Sequence, residues 1–190
     1  MMSFMPEKSG ITADQFRFAF RSHPAGVAVI TADAGDGPVA MTVSSVASIA
    51  IDPPTLMFSA SAISSSTPTI LRAETVVVHL LASDQVALAK LGARPGAQRF
   101  GHDVDWGRLP TGEPYYPAAT WLRGRVVQRV DVHGSTLIIV EAIEAKPQDE
   151  ADHVDPSPLV YHNRRWHVLS SNSALPEASA PFYIVYGRDE

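Results

Sequence analysis

The 190-residue chain contains no cysteine. Disulfides, thiolate nucleophiles and cysteine-ligated metals are therefore excluded, and the fold must hold by packing and hydrogen bonding. No apolar run reaches membrane-spanning length, because charged residues and prolines interrupt every candidate. No basic stretch followed by an apolar core opens the chain, so no signal peptide is read and the cytoplasm is the expected compartment. Charge is sparse: 15 Lys and Arg stand against 20 Asp and Glu, giving a formal net charge of -5. That balance argues against a nucleic-acid partner. Seven histidines are present, but none is spaced with a carboxylate as a metal site requires, so no metal is expected. Apolar residues at 45% and charged ones at 18% describe a globular chain of a size for one domain with its own core. A mean hydropathy near zero (+0.01) also hints at a buried subunit interface.

What is abundant is hydroxyl. Residues 37–67 carry an apolar run, the turn Asp52-Pro53-Pro54, a second apolar run ending in Met57-Phe58, and then a serine-rich loop closed by Pro68. The pattern predicts strand, tight turn, strand, then a polar loop opening a helix. Two consecutive prolines should not continue a ladder. Ser65 or Ser66 suits an N-cap, and Pro68 a first helical position. Amides at a helix start among hydroxyls make a candidate phosphate site. A serine-rich loop that is merely solvated is the simpler alternative. The small Ser44, Ser45 and Ser48 would let a flat ring approach the backbone.

Elsewhere, residues 1–10 read as an arm, 11–169 as the domain and 170–190 as an extension. The extension holds an apolar piece at 182–186 suited to an added strand or a partner contact. Thr12 and Gln15 form a capping-box pattern before a helix with Phe16, Ala19 and Phe20 on one face, ended by His23-Pro24. Residues 26–31 read as one strand, 33–37 as a turn, and 75–81 as a strand buried on both faces. Residues 83–91 read as a helix stopped by Gly92. Residues 93–116 form a long, Gly- and Pro-containing connection of the kind that often carries function. Two hairpins follow, over 119–145 and 158–169, with an acidic surface loop between them. No internal repeat is visible. Many strands, short helices and recurrent hairpins predict a mainly antiparallel β-barrel with short flanking helices.

The order of these pieces carries a resemblance. Phe16-Arg17 in a helix precedes Gly26-Val27, and Met41-Thr42-Val43-Ser44-Ser45 precedes Asp52-Pro53-Pro54 and Ser65-Ser66-Thr67. Gln85, Arg99-Phe100, Gly112-x-Pro114 and residues 158–162 follow. This resembles the flavin reductase-like family, small NAD(P)H:flavin oxidoreductases that supply reduced flavin to two-component monooxygenases. The resemblance implies an antiparallel Greek-key split barrel that binds FMN, a homodimer, FMN or FAD as cofactor, and NADH or NADPH as reductant. It implies that Met41, Thr42, Val43, Ser44 and Ser45 line the flavin ring. Ser59, Ala60 and Ser61 with Ser65, Ser66 and Thr67 would hold the ribityl and phosphate groups, and Arg99 and Phe100 would close over the site. Many relatives carry Asn where this chain has His79, and a His where it has Ser135. Ser135 and the neighbouring His133 are thus the candidate catalytic residues, and His133 or His79 is expected to substitute for the missing His in part.

The residues leave other readings open. The flavin could instead stay tightly bound and act directly on a small organic substrate, or the chain could be a non-catalytic flavin-binding module. His79 in an apolar strand reads more simply as a hydrogen-bonded core histidine. Trp106, Trp121 and Trp166 read as packing residues. Arg94 and Arg99 have the reach for a bidentate phosphate contact, against the alternative of plain surface arginines.

Overall fold

The computed structural model describes residues 10–95, 98–146 and 157–174. Helix α1 (Ala13–Arg21) begins as its sequence predicts: Thr12 Oγ1 accepts the Gln15 N–H at 3.2 Å, and Gln15 Oε1 accepts the Thr12 N–H at 2.8 Å. No residue of α1 is buried. The expected single strand over 26–31 is two. β1 (Ala25–Gly26) and β2 (Ala28–Ala32) part at Val27, whose N–H donates to the Leu159 carbonyl and whose carbonyl accepts the Leu81 N–H. Val27 therefore bonds to two different partners, and the chain bends there from one sheet into another.

The strands β3 (Val39–Val43), β4 (Ala47–Ile51), β5 (Pro54–Ser61), β6 (Thr75–Leu80), β9 (Thr120–Val132) and β10 (Ser135–Ala145) join β2 in one sheet. Its order is β3-β2-β6-β9-β10-β5-β4, and every pairing is antiparallel. Ile30 of β2, Met41 and Val43 of β3, Phe58 of β5, Val78 of β6 and Ile138 of β10 share a single core. Residues from the first strand and from the far end of the sheet can meet only if the sheet curls round on itself. The result is a barrel open along a seam between the terminal strands β3 and β4. This bears out the mainly antiparallel barrel expected from the sequence.

The seam corrects one expectation. The run before Asp52 was expected to be one strand; instead β3 and β4 lie at opposite ends of the sheet, and Ser44-Ser45-Val46 crosses between them. A local competitor interrupts the ladder there: Ser45 Oγ accepts the Ser59 N–H at 2.9 Å. The tight turn expected at Asp52 is present and consists of Asp52-Pro53. Pro54, expected to stay outside the ladder, is instead the first residue of β5 and pairs with Ile51.

A second core lies outside the barrel wall. Helix α3 (Val86–Ala93), the connection that contains β7 (Gly107–Arg108) and β8 (Pro114–Tyr115), and the sheet of β1, β11 (Leu159–His162) and β12 (Arg165–Val168) cover Val29, Ala40, Tyr116 and Leu159. β2 is consequently buried on both faces. The β11–β12 turn is Asn163-Arg164, both with positive φ, as the hairpin reading requires. Gly92 does not stop α3. It lies within the helix, where the lack of a side chain admits Thr42. The three tryptophans pack as expected: Trp121 against Tyr115, Trp106 against Phe100 and Trp166 against Tyr161. The apolar piece at 182–186 and most of the acidic loop lie outside the described residues.

Candidate functional site

The seam gathers most of the hydroxyls singled out from the sequence. Helix α2 (Thr67–Arg72) sits at its head, after the loop that follows β5. Thr67 Oγ1 donates to the Ser61 carbonyl at 2.6 Å and touches Met41 Sδ at 3.9 Å. Ser66 Oγ donates to the Ala40 carbonyl at 2.8 Å, which ties the helix start to the free edge of β3. Ser45 is bonded to Ser59 across the crossing. Residues far apart in sequence are thus stitched into one hydroxyl-lined strip.

The helix start itself differs from expectation. Thr67 is the first helical residue and Pro68 the second, and Ser66, the N-cap, makes no side-chain cap bond because its hydroxyl is committed to Ala40. The Ser66 and Thr67 amides are also engaged, by the Ser64 hydroxyl and carbonyl. With these amides engaged and the Ser66 and Thr67 hydroxyl protons given to carbonyls, an anion at this place would rest chiefly on a cation. The cation is present. Arg99 reaches over the strip, with Nη1 3.4 Å from Ser66 Oγ and Nη2 3.0 Å from the Arg94 carbonyl. Its Nε is buried and has no hydrogen-bond partner among the described residues. A buried unpaired donor on a charged group costs about 1–3 kcal/mol or more unless something binds it.

Arg99 is fixed from behind. The Tyr116 hydroxyl donates to the Arg99 carbonyl at 2.8 Å, and the Phe100 ring stacks on Tyr116 at 5.6 Å. Burial pushes the Tyr116 phenol well above its ordinary range, against the opposing Arg99 charge, so it remains a donor. The Tyr116 N–H in turn donates to His79 Nε2 at 3.0 Å, and His79 Nδ1 lies 2.9 Å from the Val29 carbonyl. A carbonyl only accepts and an amide only donates, so the imidazole is neutral with its proton on Nδ1. Burial lowers the His79 pKa from 6.5 to about 4, and the Val29 hydrogen bond opposes this only in part. His79 is thus the hydrogen-bonded core histidine of the simpler reading.

The remaining expected residues fall into two groups. Met41, Val43 and Ala60 turn their side chains into the barrel core, which leaves only their backbone to line a site. Thr42 points outward, its Oγ1 donating to the Ala89 carbonyl at 2.7 Å, while Ser44 and Ser65 are exposed. Ser135 pairs with Ser61 across β10 and β5, and the Gly134 carbonyl accepts the Ala62 N–H, so this hairpin tip abuts the strip. His133 is exposed in the turn itself, with φ 42°. Arg94 is exposed and contributes its carbonyl. Tyr116 was missed as a site residue. It sits at the end of a long loop, and nothing local announces its contact with a strand 37 residues away.

Residues 20–170 match a family model described as a flavin reductase like domain. The chain belongs to the flavin reductase-like family. Among its relatives, an NADH:FMN oxidoreductase of Rhodococcus qingshengii is 40% identical over 166 residues, covering 85% of each chain. A flavin reductase domain protein from Arthrobacter sp. FB24 is 31% identical with a TM-score of 0.76, covering 84% of this chain and 96% of that one. The flavin reductase component of a bacterial two-component tryptophan halogenase is 26% identical with a TM-score of 0.71, covering 83% and 98%. In this member of the flavin reductase-like family, the matched span contains the whole seam, from β3 through the β11–β12 hairpin.

Proposed function

We propose that the chain is an NAD(P)H:flavin oxidoreductase that reduces FMN or FAD and passes the reduced flavin to a separate monooxygenase. The observation that carries the reading is Arg99, whose Nη1 meets the Ser66 hydroxyl at the head of the seam and whose buried Nε has no partner among the described residues. A phosphoryl group suits it, because a guanidinium presents several donors in a fixed fork to the oxygens of one anion. NADH and FMN are the favoured pair, since relatives 40% and 33% identical to this chain are named for them.

The flavin and the dihydronicotinamide supply hydride chemistry between themselves. The protein's part is placement. Ser59, Ser61, Ser65, Ser66, Thr67 and Arg99 hold the ribityl and phosphate end. The backbone of Met41, Thr42, Val43 and Ala60, with Ser44 and Ser45, borders the ring, and Phe100 closes the far side. Backbone N–H groups on the free edge of β3 favour negative charge on the ring without a charged side chain. Ser135 and His133 at the adjoining hairpin tip are the residues for the nicotinamide side.

The working unit is a homodimer. Outside the seam, Phe18 is 79% exposed, and β9 beyond Arg125 carries Val127, Val130 and Val132 on an edge that pairs with no strand among the described residues. Exposed apolar edges of this kind are usually covered. Light scattering at about twice the 20.4 kDa chain mass supports the dimer, and the single-chain mass refutes it. The use of reduced pyridine nucleotide supports a cytoplasmic location.

The test of the activity is NADH oxidation followed at 340 nm with free FMN or FAD added in steps. A rate that rises with flavin and saturates supports the reading. Yellow protein with no NADH or NADPH turnover refutes it in favour of a flavoprotein acting on another substrate or a flavin-binding module.

A further inference from the structure

We propose that His79 is a positioning residue for Arg99, acting through Tyr116. The inference rests on the reading of the seam as a flavin site and names the part of that ligand it governs, the phosphoryl group.

The geometry forms one line from the centre of the sheet to the seam. The Val29 carbonyl accepts from His79 Nδ1, His79 Nε2 accepts the Tyr116 N–H, and the Tyr116 hydroxyl donates to the Arg99 carbonyl. Each link is directional. The middle of the line is fixed by packing as well: His79 is 0% exposed and meets the Tyr116 ring edge-on at 5.3 Å, and the other face of Tyr116 carries Phe100. Arg99 lies on the long connection between α3 and β9, outside every described strand and helix. A flexible arginine loses side-chain entropy when it clamps an anion. Here its backbone carbonyl is held by Tyr116, its Nη2 by Arg94, and its Nε meets no partner among the described residues. The side chain is preorganised for a ligand, and preorganisation converts to affinity.

The line predicts where its removal is felt. Tyr116→Phe deletes the hydroxyl and keeps the ring. His79→Leu deletes both hydrogen bonds, while His79→Gln retains one donor and one acceptor. None of these changes touches the flavin ring. The loss should therefore fall on FMN, which carries the phosphate, and spare riboflavin, which lacks it.

The experiment measures dissociation constants of FMN and riboflavin by fluorescence quenching for wild type and for Arg99→Ala, Tyr116→Phe, His79→Leu and His79→Gln. Thermal melts confirm that each variant is folded. The expected result is a rise of up to about tenfold in the FMN constant for Tyr116→Phe, the size of one lost hydrogen bond. The riboflavin constant should change by less than twofold, the KM for FMN should rise with kcat unchanged, and His79→Gln should recover most of what His79→Leu loses. In the Arg99→Ala background, Tyr116→Phe should add nothing further. Equal weakening of FMN and riboflavin, or additive losses in the double variant, overturns the positioning role while leaving the flavin site intact. Arg99→Ala that leaves the preference for FMN over riboflavin unchanged overturns the phosphate assignment itself.

Discussion

Gly92 of α3 rests directly on Thr42 of β3: a Cβ on Gly92 would lie 2.3 Å from Thr42 Oγ1 and 3.2 Å from the Thr42 backbone nitrogen. The Thr42 hydroxyl has no room to swing away without giving up its bond to the Ala89 carbonyl. Gly92→Ala should therefore lift α3 off the free edge of β3, despite alanine's better helix propensity. Overpacking of this kind costs about 1–3 kcal/mol. Urea unfolding of the variant should show a lower midpoint at an unchanged slope. A midpoint at or above wild type contradicts the tight contact.

The acid stability of the protein should be governed in part by His79. Its folded pKa of about 4 lies below its ordinary 6.5. The unfolded chain therefore takes up a proton that the folded chain refuses. The His79 contribution is whole above about pH 6.5 and is lost as pH falls toward 4, by about 3 kcal/mol in total. Glu113 continues the trend lower down. Burial alone would raise its carboxyl, but hydrogen bonds from Thr111 and Thr75, its own backbone and Arg123 outweigh burial and hold it at about 2. Its contribution is lost between about pH 4.5 and 2. Unfolding free energies measured from pH 7.5 to 4 should decline, and His79→Gln should flatten the decline between 6.5 and 4. An unchanged slope in that variant assigns the loss elsewhere.

Ser135 and His133 make separable predictions. Ser135 faces Ser61 at the seam, so Ser135→Ala should raise the KM for NADH and the dissociation constant of FMN together, each by several-fold. His133 stands in the turn with positive φ, a conformation asparagine tolerates. His133→Asn keeps the turn and should raise the KM for NADH alone, by about threefold to tenfold if the imidazole meets the nicotinamide nucleotide. Unaltered NADH kinetics in His133→Asn remove this residue from the site.

Much of the frame was legible because its signals are local. The capping box of Thr12 and Gln15, the Asn163-Arg164 turn and the alternating burial of β5 each depend on residues a few positions apart. The hydroxyl strip was legible too, as an ordered set of pieces. What the sequence hid depends on distant partners. Nothing in residues 37–51 tells that Ser45 will bond to Ser59 and send β4 to the far edge of the sheet. Gly92 has the look of a helix stop until Thr42 is seen beneath it. Glu113 is a lone carboxylate in a loop until Arg123 and Thr75 close on it at 2.7 and 2.6 Å. The line from His79 to Arg99 joins residues of a strand and a loop that share no pattern.

The central claim is that the seam between β3 and β4, with Arg99 at its head, receives the flavin. Hydrogen-exchange mass spectrometry with and without saturating FMN tests it most directly, because exchange reports backbone protection segment by segment. The account predicts slowed exchange in peptides spanning residues 42–46, 59–67 and 98–101, with the β9 edge over 127–132 unaffected. Protection confined to segments outside those three, or none at all with FMN bound, contradicts it.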